Sequence, residues 1–131
     1  MEKVLTYFKI AFAGISSFFS YLWGGADLLL KVLIILVVFD YITGILAAIY
    51  TKTLSSRVGF KGILKKIVIM IFVATAHWIG VVTGAESIRC VVISFYIANE
   101  GISILENGGR MDIPVLSKLK DILEQFKDKN E

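Results

Sequence analysis

The sequence is poor in the residue types from which metal sites and disulfides are built. Among its 131 residues there are one cysteine, one histidine and one proline. The single cysteine, Cys90, excludes a disulfide framework within the chain. One histidine and one cysteine are also too few for a zinc site. We therefore expect no metal centre.

Catalytic motifs are equally scarce. The serine pairs at 16–17 and 55–56 have no base near them in the sequence. The glycine pairs at 24–25 and 108–109 lack the strand–loop–helix context and the Lys-Ser/Thr pair that phosphate-binding loops need. These absences predict that the protein has no catalytic site and no cofactor.

Acidic residues are absent between Thr51 and Lys66, although basic residues are frequent there. The basic residues of this segment are Lys52, Arg57, Lys61, Lys65 and Lys66. Phe60 is its only aromatic residue, so the stacking platforms of a nucleic-acid site are missing and no nucleic-acid partner is expected. The segment separates two apolar runs, so the positive-inside rule predicts a cytoplasmic basic loop. Such a loop can also attract anionic lipid head groups.

Hydrophobic residues, by contrast, are abundant: they make up 56% of the chain, and the mean hydropathy is +0.77. About 20 apolar residues cross the ~30 Å hydrocarbon core of a bilayer. The runs 28–50, 67–83 and 88–107 therefore predict transmembrane helices. The run 4–23 is interrupted by Lys9. It is consistent with a fourth span, with an interfacial amphipathic helix, or with a signal peptide.

The last segment, 112–127, has the pattern of a short amphipathic helix. Its apolar residues recur every three or four positions: Ile113, Leu116, Leu119, Leu123 and Phe126. Gly108 or Gly109 is expected to end the preceding helix in the left-handed conformation. The chain 1–131 is thus predicted to be one all-α integral membrane domain. It has three to four transmembrane helices, a cytoplasmic C-terminus and a short C-terminal amphipathic cytoplasmic helix.

Four polar residues interrupt the apolar runs, namely Asp40, His77, Asn99 and Glu100. Ionisable groups inside a membrane are costly unless they are buried and paired. Counting ~1.5 Å per residue from the predicted helix ends puts Asp40, His77 and Glu100 near the middle of the bilayer. We hypothesise that the four residues form one polar layer, inside the bundle or along oligomer contacts. The alternative is that each is neutralised separately and serves only packing.

Small residues recur every four positions in two of the predicted spans. Gly44 and Ala48 follow Asp40 at this spacing, and a second series is Ala76, Gly80 and Gly84. Such series allow helix backbones to approach closely in membranes. The spacing does not distinguish packing within one subunit from contacts between subunits.

Three stretches carry a resemblance to a known family: "FDYITGILAA" (39–48), "LSSRVGFKGILKK" (54–66) and "FYIANEGISILENGGRMDIPVLSKLKDILE" (95–124). In their order and spacing they resemble the toxin-secretion and phage-lysis holin family, which is found in phages of Gram-positive bacteria. The resemblance covers roughly residues 27–127. The family pattern falls on Asp40, Thr43, Gly44, Ser55, Ser56, Gly59, Gly62, Lys66, Glu100, Ser103, Glu106, Asn107, Pro114 and Leu119. This chain departs from the family where relatives often have Pro-x-Pro, because it reads Pro114-Val115-Leu116.

The resemblance implies a function that composition alone does not. A holin would assemble with copies of itself in the bacterial cytoplasmic membrane and form lesions at a set time. An endolysin or a toxin then crosses the membrane, and an antiholin can be a further partner. Two alternatives remain: a small multidrug-type proton-coupled transporter, and an antiholin or other regulatory membrane protein. Such a transporter would carry its acidic residue in the first helix, but residues 4–23 contain none.

Overall fold

The computed structural model describes residues 1–114 and 117–130. The regular elements of this part of the chain are all helices: α1 (Glu2–Trp23), α2 (Leu28–Tyr50), α3 (Ser56–Thr83), α4 (Ser87–Arg110) and α5 (Ser117–Lys129). The predicted all-α class is confirmed. Helices α1 to α4 are each long and apolar enough to cross a membrane, α1 with the lowest hydropathy of the four.

Helix α2 coincides with the predicted span 28–50, whereas α3 begins well before the predicted start at Ile67. The Ser55 side chain caps α3 by accepting a hydrogen bond from the backbone N–H of Val58. The basic residues after the cap lower the hydropathy of this segment, but lysine and arginine favour a helix. Most of the predicted basic loop is therefore helix, and of its five basic residues only Lys52 lies in the connection between α2 and α3.

The apolar core lies where α2, α3 and α4 meet. Leu33 of α2, Val73 of α3 and Ile93 of α4 are fully buried and belong to one cluster. The small residues of α2 face α4. A Cβ atom on Gly44 would lie 3.6 Å from the Asn107 side chain, and Ala48 is buried. This small-residue series therefore packs helices within one chain.

The second small-residue series lies where α3 turns into α4. Ala76 is buried, and a Cβ on Gly80 would lie 2.8 Å from the carbonyl oxygen of Ala85. Gly84 ends α3 with φ 73°, a left-handed conformation that suits glycine. These residues too have a role inside the single chain.

Helix α4 does not end at Gly108 or Gly109, so that expectation is wrong. It continues to Arg110, and the left-handed residue after it is Asp112, with φ 58°. Aspartate enters this region more readily than most residues. The Tyr50 hydroxyl at the end of α2 donates a 2.9 Å hydrogen bond to Asp112.

Helix α5 lies antiparallel along α4. The Lys120 and Glu106 side chains are 3.6 Å apart, and the Lys127 ammonium lies 5.3 Å from the centre of the Phe95 ring. Between these contacts, Leu123 packs against Gly101. Other residues of the predicted apolar stripe, Ile113, Leu119 and Phe126, are exposed. Leu116 lies outside the described residues.

Helix α1 has no buried residue and joins the others only near its C-terminal end. The indole N–H of Trp23 donates to the carbonyl of Met70 at 2.8 Å, and that of Trp78 donates to the carbonyl of Leu22 at 3.1 Å. Gly24 ends the helix with φ 79° directly against the ring of His77.

Candidate functional site: a charged layer between three helices

Lys66 of α3 joins two carboxylates from two other helices. Its ammonium group donates to Asp40 of α2 and, at 2.6 Å, to Glu100 of α4. Asp40 and Glu100 are buried, with 7% and 1% of their surface exposed. One lysine thus links α2, α3 and α4 in the interior of the bundle.

Asn107 extends this network about two turns further along α4. Its amide nitrogen donates to the Asp40 carboxylate at 2.9 Å and to the Asp40 carbonyl at 3.2 Å. It also donates to the Thr43 hydroxyl at 2.9 Å, and that hydroxyl donates in turn to the carbonyl of Phe39. Asp40 is therefore held from both α3 and α4.

The three charged groups lie at the same level of the bundle. Asp40 is ten residues before the end of α2, Lys66 ten residues after the start of α3, and Glu100 ten residues before the end of α4. At ~1.5 Å per residue each is about 15 Å from the helix end on the side of the basic residues. We call Asp40, Lys66 and Glu100 the charged layer.

The charged layer carries one formal negative charge, because two carboxylates face one ammonium group. Removing one partner of a buried ion pair typically costs about 3–5 kcal/mol, since the remaining charge is left uncompensated. Both carboxylates depend on Lys66, so the loss of Lys66 would leave two buried charges uncompensated and weaken the association of the three helices.

A cavity of about 380 Å³ adjoins the charged layer. Asn99 and Ser103 line it together with the layer, and Lys65 and Arg110 line it as well. Lys65 and Arg110 both lie closer than the layer to the basic end of the bundle. The cavity therefore connects the carboxylates with that end.

The structure brings together some of the residues expected to form a polar layer and separates one. Asp40 and Glu100 share Lys66, and Asn99 lines the adjoining cavity. His77 is eleven residues beyond Lys66, or about 16 Å along α3. It contacts Trp78, with ring centres 5.0 Å apart, and lies at the α1 junction. His77 thus belongs to a different part of the molecule.

The sequence pattern does not identify Lys66 as the centre of the layer. Hydropathy predicts that the third span starts at Ile67, which leaves Lys66 in a cytoplasmic loop. The available signals were the serine cap at Ser55, which starts the helix earlier, and the presence of Lys66 and Asn107 among the family positions.

Other family positions shape the surroundings of the layer. Gly59 and Gly62 leave room for the Tyr41 side chain, since Cβ atoms there would lie 3.5 and 3.2 Å from it. Ser56 opens α3, whereas Pro114 is exposed beyond α4.

A second ion pair lies at the opposite end of the bundle, and sequence reasoning did not identify it. Arg89 near the start of α4 binds Asp27, with nitrogen–oxygen distances of 2.6 and 3.1 Å. Arg89 also donates to the carbonyls of Trp23 and Gly25, at 2.7 and 3.0 Å. Its hydrogen bonds hold the pKa of Asp27 below the usual value. Arg89 thereby fastens α4 to the connection between α1 and α2.

Comparison with known families identifies the chain. A family model described as the bacteriophage holin family matches residues 17–128, which is most of the sequence. The chain belongs to the bacteriophage holin family. The resemblance stated from its motifs is confirmed, and with four candidate spans this holin-family chain is a multi-pass membrane protein.

Individual relatives are similar to this chain over most of their length. Uncharacterized proteins of Listeria innocua and Listeria monocytogenes are 50% and 48% identical, each alignment covering 99% of this chain and 91% of the relative. A protein of Bacillus phage phi105 named as a probable holin is 29% identical, over 86% of this chain and 83% of that protein. No solved structure matches the chain.

Proposed function

We propose that this chain assembles with copies of itself in the bacterial cytoplasmic membrane and opens lesions through which an endolysin or a toxin crosses. Membership in the holin family and four candidate spans support this function. The observation that carries it is the charged layer, in which Lys66 links Asp40 and Glu100 across three helices.

The charged layer suits a protein that waits in the membrane before it acts. In the dormant bundle the three groups satisfy one another, so they can be placed at membrane depth. When the helices separate in an assembly, water solvates the same three groups. This hydration offsets part of the free energy lost when the ion pairs separate. The layer then forms part of a hydrophilic wall.

Helix α5 supplies a second hydrophilic surface. It is rich in charged residues, and contacts at Gly101 and Phe95 place it beside the middle of α4. A charged surface at the depth of the membrane interior has to be in contact with water or protein rather than lipid. An aqueous lesion would supply the water for this surface.

We infer the orientation from the basic residues at the start of α3. Arg57, Lys61 and Lys65 recur every four residues and therefore share one helix face. The positive-inside rule puts this end of the bundle in the cytoplasm, together with the end of α4 and the start of the C-terminal helix. Anionic lipid head groups are the expected partners of this face.

The test is lysis timing after induction in bacteria that also express a cytosolic endolysin. Lys66→Met leaves two unpaired carboxylates, so we expect earlier lysis; about 3 kcal/mol would shift a closed–open equilibrium about a hundredfold. Asp40→Asn and Glu100→Gln each leave one carboxylate facing the Lys66 ammonium group. The layer is then neutral and less costly to bury in the closed bundle, so we expect later lysis. Lys31→Met removes an exposed charge of α2 that lies outside both the layer and the basic face, and it serves as the control. Immunoblots of membranes verify equal accumulation.

Unchanged timing in all three layer variants would contradict the proposed role of the layer. Resistance to toxic cations without any lysis would instead indicate the small exporter. A chain that only delays lysis by another holin would be an antiholin.

A further inference from the structure

Helix α5 contacts α4 along one edge of its apolar side and leaves the rest of that side uncovered. The edge toward α4 holds half-buried residues, namely Lys120, Leu123, Lys127 and Asn130. Leu119, Ile122 and Phe126 lie beside this edge at a spacing of three to four residues, and they are 43–52% exposed. We call these three residues the exposed stripe. A row of exposed large apolar side chains indicates a further contact surface.

The face of α5 opposite the exposed stripe is acidic. Asp121, Glu124 and Asp128 recur there every three or four residues, and all three are exposed. The contact between Leu123 and Gly101 lies nine residues, or about 14 Å, from the inner end of α4. Carboxylates at that depth are costly when they face lipid. The position of α5 on α4, which we call the docked position, therefore requires water beside the acidic face.

The polar contacts that hold α5 in the docked position are individually weak. Lys120 and Glu106 are 3.6 Å apart, and their side chains are 36% and 56% exposed, so water screens the pair. Lys127 lies 5.3 Å from the centre of the Phe95 ring, a cation–π contact of modest strength. A helix held in this way can exchange the docked position for another surface.

Lysines border the exposed stripe on both sides. On a helical wheel at ~100° per residue, Lys120 and Lys127 lie between the stripe and the acidic face on one side, and Lys129 lies between them on the other. This order of charges suits the surface of an anionic membrane. The stripe enters the boundary between head groups and acyl chains, the lysine ammonium groups reach the anionic head groups, and the carboxylates stay in water.

The membrane surface within reach of α5 is the cytoplasmic one. Helix α5 follows α4 at the end of the bundle that carries the basic residues of α3, and the positive-inside rule puts this end in the cytoplasm. The hydrogen bond from Tyr50 to Asp112 holds the chain after α4 against the end of α2. Helix α5 therefore starts close to the inner leaflet, whose anionic lipids attract lysines.

From these charges and depths we propose that the exposed stripe binds the anionic inner leaflet while the bundle is closed, and that α5 takes the docked position when the lesion opens. The proposal rests on the lesion of the proposed function, because the lesion supplies the water that the docked position requires. Contact with the leaflet exists only in the closed state and therefore stabilises that state. Loss of the contact should favour opening.

Disulfide cross-linking within the chain follows the movement of α5 through lysis. In a Cys90→Ser background, Gly101→Cys on α4 is combined with Leu123→Cys on α5, because a Leu123 methyl group lies 3.3 Å from the Gly101 Cβ position. Membranes taken before and during lysis are treated with a copper oxidant. The cross-linked yield should rise about tenfold with lysis, since the minor state of a two-state protein is populated to about 10% or less.

The matched control replaces Gly101→Cys by Ser103→Cys. Ser103 lies two residues further along α4 but lines the cavity beside the charged layer, so it should give no cross-link to Leu123→Cys at either time. A high yield for the Gly101→Cys pair before lysis, or no rise while the cells lyse, would overturn the movement of α5 and leave the proposed function intact.

Fluorescence quenching by lipid tests the surface contact. The full chain, with Cys90→Ser and a thiol-reactive fluorophore at Ile122→Cys, is reconstituted in vesicles that contain a lipid with a nitroxide next to its head group. Quenching should be stronger in phosphatidylglycerol vesicles than in neutral phosphatidylcholine vesicles, and it should be weak for the same fluorophore at Asp121→Cys. Equal quenching at the two positions would overturn the contact. Dimers cross-linked through unlabelled Ile122→Cys, without quenching of the labelled chain, would indicate a second copy in place of lipid and overturn it too.

Substitution within the exposed stripe links the contact to lysis. Phe126→Ser should weaken surface binding about tenfold to hundredfold, the range expected for one buried large apolar side chain, and should therefore advance lysis. Gln125→Ser changes a neighbouring exposed residue outside the stripe and should leave the timing unchanged. Later or unchanged lysis for Phe126→Ser would contradict the closed-state role of the contact. Quenching at Ile122→Cys in a chain that never lyses cells would support the contact and contradict the proposed function.

Discussion

At the scale of single residues, two basic side chains join elements that are far apart in the sequence. Lys66 links α2 to α4 within the bundle, and Arg89 links α4 to the connection before α2. The two differ in surroundings. The Lys66 partners are buried, whereas about half of the Asp27 side chain is exposed. Water screens the outer pair and weakens it, so we expect the inner pair to matter more for stability.

The Asp27–Arg89 pair predicts a pH dependence. Because the folded pKa of Asp27 lies below the ordinary value of 3.8, its contribution to stability is complete above that value and is lost as the pH falls through the folded pKa. Asp27→Asn should therefore lower the Tm of the purified protein by a few degrees at pH 7, and the difference should shrink at low pH. Thermal unfolding in detergent at several pH values measures this.

A neighbouring acidic residue serves as the control for this titration. Glu86→Gln changes a charge in the same outer region but not the Arg89 contact, so its effect should not follow the Asp27 titration. A difference between Asp27→Asn and the unmodified protein that does not shrink at all as the pH is lowered, down to the lowest pH at which the protein stays folded, would contradict the assignment.

At the scale of elements, the junction of α1 and α3 depends on a glycine. Gly24 has φ 79°, and a Cβ atom there would overlap the His77 ring. Gly24→Ala should therefore cost about 1–2 kcal/mol for the backbone conformation alone, and more for the displaced ring. Trp23 and Trp78 are the two tryptophans of the chain and both lie at this junction, so a shift in tryptophan fluorescence should accompany the loss of stability.

Gly14 gives the matched substitution for this prediction. It lies inside α1 with open space around it, so Gly14→Ala should be neutral or stabilising by about 1 kcal/mol. Equal fluorescence and equal Tm for the Gly24 and Gly14 variants would show that the junction does not require glycine.

At the scale of the whole molecule, the prediction concerns sidedness. In a Cys90→Ser background, Thr53→Cys lies between α2 and α3, and Glu86→Cys lies between α3 and α4. The proposed topology puts the first connection in the cytoplasm and the second outside. A membrane-impermeant thiol reagent added to intact cells should therefore label Glu86→Cys and should label Thr53→Cys only after permeabilisation. The reverse pattern would invert the topology.

Much of the architecture could be predicted because it depends on local pattern. Long apolar runs set the helical class and the second and fourth spans, since a membrane requires about 20 apolar residues in a row. The three linked motifs led to the holin family, which the comparisons confirm. The start of α3 was predicted incorrectly because hydropathy measures transfer into lipid, whereas the helix begins at a serine cap and continues through lysines.

The amino-acid sequence by itself determined the membrane class, the family and which rare polar residues needed partners. Only the tertiary structure decided what those partners are. Asp40, Lys66 and Glu100 are 26 and 34 positions apart in sequence, and they meet because α2, α3 and α4 pack with their layer residues at equal distances from the basic end. His77, at a similar predicted depth, lies instead at the α1 junction. Depth along a helix follows from counting residues, but which side chains face one another depends on helix packing and rotation.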